Sequence, residues 1–212
     1  MSHSVAIVGL SAATREQFLQ DPDITEAWSL NQGHAVFSPE AMARMTRWFQ
    51  LHPWEAMSRR QDPEKHHLEW LAGAKIPVYL EEPRPEVPMG VRFPFEDVCR
   101  TIGTNYFATN SLAYMIALAI HEHFDEIKLY GFSMDATDWS DNYARPCIEY
   151  MLGLAVGRGI KVWVARPSAL LLGDLYAKTV PVPSFTLEMA ADALRTASAS
   201  LAQTAAAMEG LY

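Results

Sequence analysis

Apolar residues come in short continuous runs, separated by stretches with helical spacing, which is the pattern of buried parallel strands alternating with helices. Val5-Ala6-Ile7-Val8-Gly9-Leu10 is the first run. Ser11-Ala12-Ala13-Thr14 follows and leads into a helical stretch in which Thr14 and Gln17 are spaced as a capping box. Ala27 to Asn31 predicts a second strand turning at Asn31-Gln32-Gly33, and Met45 to His52 a third extended segment halted by Pro53. Asp62-Pro63-Glu64 opens a helix that runs to about Ala72 and stops at Gly73. Ile76 to Leu80 predicts a strand whose proline suits an edge or a strand's beginning. Pro83, Pro85, Pro88 and Pro94 make residues 81–94 an irregular excursion and a candidate lid rather than a packed element. A short helix is predicted from Pro94 to Ile102.

The stretch from Phe107 to Met134 organises the rest. A loop carrying Thr109-Asn110-Ser111 leads into a helix with Leu112, Met115, Ile116, Ala119 and Ile120 on one face, which the following strand, Ile127 to Phe132, is expected to cover. Asn110 or Ser111 either caps this helix or belongs to a loop that offers unpaired donors to an anion at the positive end of the helix dipole. Another helix is predicted from Tyr143 to about Gly157, with Pro146 in its first turn and Ile148, Met151, Leu152 and Ala155 on one face. Ile160 to Val164 is the last strand of the series.

Strands near residues 5, 27, 47, 76, 127 and 160, alternating with helices, predict an α/β fold: a Rossmann-like, doubly wound, mostly parallel sheet over residues 1–179. Beyond it, Val180-Pro181-Val182-Pro183 is a stiff spacer and Ser184 opens a long C-terminal helix to about Glu209. Leu187, Leu194, Leu201 and Met208 recur every seven residues along it. That seam either packs back on its own domain or, as a proline spacer favours, makes residues 180–212 an oligomerisation element of a homo-oligomer.

Composition narrows the classes. The chain has 212 residues, half of them apolar and a fifth charged, which suits one α/β domain with an appendage. A net charge of −8 without a basic run makes nucleic acid and anionic membranes poor partners. Cys99 and Cys147 stand far apart without CxxC spacing, so neither a disulfide staple nor zinc is indicated and a reducing cytoplasm is expected. The N-terminus shows no basic region with a cleavage site, and no apolar run reaches the length of a membrane span.

Candidate chemistry gathers where open parallel sheets hold ligands, beyond the carboxyl ends of strands. His52 lies there, as a site residue or a structural one, and Asn31 is either a turn residue or a ligand contact. One glycine, Gly9, stands where a dinucleotide fingerprint has three, so NAD is not indicated. Asp135, Asp138 and Asp141 are spaced three apart in a polar loop; they lack the alternation and glycine of a calcium loop, leaving a metal or a solvated turn.

The succession VAIVGLSAAT, a strand ending in Leu30-Asn31, TNSLAYMIALAI, IKLYGFSM and ARPCIEYMLGLAVGRGIKVWVARPSALL resembles the layout of the bacterial sialyltransferases of glycosyltransferase family 42. It is similar also to the related motility-accessory, hydroxymethylpterin diphosphokinase-like proteins, and its last stretch to small phage and prophage proteins. The resemblance spans roughly residues 4 to 172. It implies a cytidine nucleotide above the carboxyl ends of the strands, with Gly9 and Ser11 lining the first loop and Asn31 the second. It further implies Thr109, Asn110 and Ser111 at the phosphate-facing helix start and Tyr143 before the next helix. Three departures stand out: Gly-Leu-Ser-Ala-Ala replaces the family's Gly-Asn-Gly-Pro-Ser loop, Ser133 replaces an acidic residue, and no histidine falls near Trp139-Ser140 where the family's catalytic one lies. A transferase needs a group to take the acceptor's proton, and His52, Asp135 or Asp138 must then serve. The expected ligand is a small-molecule nucleotide, a nucleoside phosphate with or without a divalent metal. The function is glycosyl or diphosphate transfer or, alternatively, non-catalytic binding of a nucleotide or host protein by a phage-type module.

Overall fold

The computed structural model describes residues 2–55, 64–134 and 139–172, the side chains of residues 64, 65 and 139–142 excepted. Seven strands, all parallel, form one sheet: β1 (Ser4–Val8), β2 (Glu26–Leu30), β3 (Arg47–Gln50), β4 (Val78–Leu80), β5 (Gly90–Arg92), β6 (Glu126–Tyr130) and β7 (Lys161–Val164). Their spatial order is β5-β4-β3-β2-β1-β6-β7. The chain starts in the middle, steps outward to β5, then crosses back to place β6 on the other side of β1. That reversal between β1 and β6 is the topological switch point of a doubly wound sheet.

Helices cover both faces. On one lie α1 (Pro39–Arg44) and α2 (Glu64–Gly73), and on the other α3 (Phe95–Ile102), α4 (Ser111–His121) and α5 (Trp139–Gly157). Strand alternation divides the core accordingly: Val5, Ile7, Trp28 and Phe49 face α3 to α5, while Ala6, Val8, Trp48 and Val78 face Phe18, Ala41 and Leu71. This two-sided burial is why β1 reads as an unbroken apolar run. Eight of the eleven residues of α4 are buried, so it is a core helix wrapped by sheet and neighbouring helices, where one apolar face against a strand was expected.

Other expectations are corrected. The proline-rich stretch 81–94 holds a packed element, β5, which pairs in parallel with β4 through Val78 N to Met89 O at 2.9 Å and Phe93 N to Leu80 O at 2.8 Å. Thr14 does not close a capping box; its hydroxyl accepts from Gly131 N at 2.8 Å, and a short 3₁₀ turn at Gln17–Gln20 takes the place of the expected helix. Helix α5 begins at Trp139, so Pro146 lies inside it and withholds one intrahelical donor. Helix α1 escaped the sequence patterns although Ser38 caps it by accepting from Ala41 N at 3.1 Å, with Pro39 in its first turn. Residues 180–212, and Asp62 and Pro63 before α2, lie outside the described residues.

At the amino-terminal edge of the sheet Arg47 knits three elements together. Its guanidinium lies 2.8 Å from Glu26 and 2.7 Å from Glu122, and 4.7 Å over the Trp28 ring.

Candidate functional site

A cavity of about 480 Å³ opens at the opposite, carboxyl-terminal rim, in the size range of small-molecule sites. The end of β2 brings Asn31 to it, the end of β3 brings His52, the start of α4 brings Thr109, Asn110 and Ser111, and α5 brings Tyr143. Six of the residues singled out from sequence therefore line one space. Leu51, Pro53, Leu112, Phe132 and Met134 form its apolar walls, none of them named as a site residue from the sequence. Among the described residues the lining holds no Lys, Arg, Asp or Glu, so its polarity is that of neutral amides, hydroxyls and one imidazole. A larger hollow of about 580 Å³ lies at the far edge, between His123, Asp125, Arg158 and Lys161. Its walls come from the amino ends of β6 and β7, away from the switch point at which open α/β sheets hold ligands.

Asn110 does cap α4: its Oδ1 accepts from Ala113 N at 2.9 Å, while its Nδ2 donates to Thr109 Oγ1 at 3.1 Å. The cap leaves the other first-turn N–H groups of α4, which have no intrahelical acceptor, at the mouth of the cavity. Asn31 has φ of 50°, the left-handed conformation its short amide tolerates, and its carbonyl accepts from the Trp48 indole at 3.0 Å. Its Oδ1 is buried with no hydrogen-bond partner among the described residues. A buried acceptor left so costs about 1–3 kcal/mol, which a ligand donor would recover. Burial pushes the Tyr114 hydroxyl above its ordinary range, with Glu81 adding to the shift, so it remains a neutral O–H at the cavity wall.

Gly9 and Ser11 are not part of this space. Ser11 N donates to Gly131 O at 2.8 Å and Gly9 N to Tyr130 O at 2.7 Å, so the first loop spends these amides on stitching β1 to β6. The Phe132 ring lies against Gly9, and Phe132 also lines the cavity. Asp135 and Asp138 lie outside the described residues. Among the described residues no three His, Cys, Asp or Glu side chains gather to hold a metal, and no helix is long and apolar enough to cross a membrane.

Behind His52 runs a connection that sequence spacing did not show. Gln50 Nε2 lies 3.0 Å from His52 Nδ1, Gln50 Oε1 lies 2.7 Å from His67 Nε2, and His67 Nδ1 lies 2.9 Å from His34 Nε2. Helix α2 supplies His67 and the turn after β2 supplies His34, elements whose meeting no local pattern records.

The sheet, its switch point and the rim cavity define a Rossmann-like α/β protein. Among solved structures the chain is similar to the sialyltransferase CstII from Campylobacter jejuni in complex with cytidine-5'-monophosphate, at a TM-score of 0.55 and 16% identity over 81% of this chain and 84% of that one. The same enzyme with the substrate analogue CMP-3FNeuAc matches at a TM-score of 0.54 and 15% identity, over 78% and 81%. An alpha-2,3-sialyltransferase from Campylobacter jejuni in apo form matches at 0.52 and 13%, over 87% and 92%. At these identities the likeness is one of fold. No protein-family model and no curated protein sequence matches the chain.

Proposed function

We propose that the protein binds a nucleoside phosphate in the rim cavity and transfers the glycosyl group attached to it. The observation that carries this is the convergence of Asn31, His52, Thr109, Asn110, Ser111 and Tyr143 on one space at the start of α4. Phosphate faces the helix N-terminus and the Thr109 and Ser111 hydroxyls, and the apolar walls take the base or sugar. Structures of the same fold whose names record bound CMP make a cytidine nucleotide the first ligand to try. His52 or Asp135 is the group that handles the acceptor's proton.

Thermal-shift titration with CMP, CDP, UDP and ATP is the test. Occupancy at a hundred times Kd stabilises the fold by about 2.7 kcal/mol. We expect CMP to raise Tm and a CMP-sugar to be turned over at a rate that falls in His52→Ala or Asp135→Asn. No response to any nucleotide at millimolar concentration overturns the proposal, and binding without turnover reduces it to a binding module. The heptad seam of residues 180–212 is proposed to make the full chain a homo-oligomer; Leu194→Asp with Leu201→Asp should then elute as a monomer.

A further inference from the structure

His52 is the one histidine lining the cavity among the described residues, and the side chains behind it select which of its nitrogens carries the proton. A primary amide donates only through nitrogen and accepts only through oxygen. With Gln50 Nε2 at 3.0 Å from His52 Nδ1, that nitrogen is the acceptor, and a neutral His52 ring carries its proton on Nε2. The same logic extends outward. Gln50 Oε1 accepts from His67 Nε2–H at 2.7 Å, so His67 Nδ1 accepts in turn from His34 Nε2–H at 2.9 Å. Every link points the same way, from His34 to His52.

The relay is held in place by packing. Gln50 and His67 are each 1% exposed. The His34 ring meets the His67 ring edge to edge, at 5.0 Å between centres, and stacks on Trp70 at 4.5 Å, with planes within 5° of parallel. Reversing the amide would set donor against donor at His67 and acceptor against acceptor at His52 unless both imidazoles exchanged tautomers together. Such mismatches are unfavourable because neither buried group can turn to water instead.

We propose that Gln50 and His67 are positioning residues that hold His52 as the Nε2–H tautomer, so that it meets the cavity's ligand as a hydrogen-bond donor to an anionic oxygen and, of the two candidates named above, leaves the acceptor's proton to Asp135. Only the identity of that anion and the role left to Asp135 rest on the nucleotide reading above.

The experiment is a long-range proton–nitrogen correlation spectrum of the full chain labelled with ¹⁵N-histidine, at a pH where the rings are neutral, with His52 assigned by its loss in His52→Gln. The expected result is one fixed tautomer, protonated at Nε2. In Gln50→Glu the carboxylate can only accept, and the proton should move to Nδ1 or both nitrogens should be protonated. If Gln50→Glu does not fold, His67→Phe keeps a flat ring, frees the amide, and should leave His52 averaging between tautomers. A wild-type His52 that averages, or that is protonated at Nδ1, overturns the proposal, as does a pattern unchanged in either variant. CMP is then titrated into the labelled protein. A shift of the His52 Nε2 signal is expected, and its absence beside a fixed Nε2–H tautomer defeats the nucleotide reading alone.

Discussion

Gly9 and Gly131 meet backbone to backbone where β1 and β6 end. A Cβ added to Gly9 would lie 2.5 Å from Gly131 O and 2.6 Å from the Phe132 ring, and Gly131 has φ of 71°. Neither position can take a side chain without displacing main chain or straining it. Gly9→Ala and Gly131→Ala should each cost about 2–4 kcal/mol. Thermal melts read this directly, since each kcal/mol moves Tm by about 2–4 °C in a domain of this size. A Tm near that of the wild type would mean the two strands do not approach this closely.

Asn110 offers a way to separate capping from ligand binding. Asn110→Ala should cost about 1 kcal/mol through the lost cap. Asn110→Asp keeps an acceptor for Ala113 N and suits the helix dipole, so its melt should match the wild type within about 1 kcal/mol. Its carboxylate would stand at the cavity mouth, however, and the thermal response to CMP should disappear. An undiminished response in Asn110→Asp would place the phosphate elsewhere.

Acid stability should fall in two stages. Burial lowers the affinity of His34 for a proton, so the unfolded chain takes one up first as pH drops through its ordinary value near 6.5. Stability from this source is complete above that pH and is lost below it; His34→Gln should flatten this limb. Burial pushes the Glu26 carboxyl up, but the Trp28 indole N–H and the Arg47 guanidinium outweigh it and hold the group below 4.5. Asp21 is likewise raised by burial and lowered more by Lys128, the Asp23 N–H and the Tyr130 hydroxyl, to below 3.8. Depressed carboxyls contribute above their unfolded pKa values and stop contributing as pH falls through the folded ones. The second limb therefore lies below about pH 4.5, and Glu26→Gln should reduce it while leaving the first. Urea midpoints measured from pH 8 to 3 distinguish the two.

Arg47→Met should cost about 3–5 kcal/mol, because it leaves Glu26 and Glu122 facing each other without their shared cation. Adding Glu26→Gln and Glu122→Gln to that variant should return part of the loss in urea unfolding. No recovery would mean that Arg47 acts through its packing on Trp28 alone.

The fold was legible where residues report on themselves. Val5 to Val8 form an apolar run because both sheet faces are covered, and all four are fully buried. Asn110 before an apolar helix announced its cap. Strand β5 was not legible, since it has three residues, with Val91 40% exposed and Arg92 held in ion pairs at the surface, and its backbone bonds leave no mark on side-chain pattern. Thr14 was misread for a related reason: its partner, Gly131, is 117 positions away. The site divided along the same line. Six of the residues singled out, at strand ends and helix starts, line one cavity, whereas the wall made by Phe132 and the contact of Gln50 with His67 exist only after the chain has closed on itself.

Strand β3 begins at the Arg47 ion cluster and ends two residues before His52, so four residues tie the foundation of the sheet to its working edge. Because the two tasks occupy opposite ends of a rigid rod, substitutions among the rim loops leave the anchorage intact. The rim of such a scaffold is therefore free to drift over evolutionary time while the framework persists.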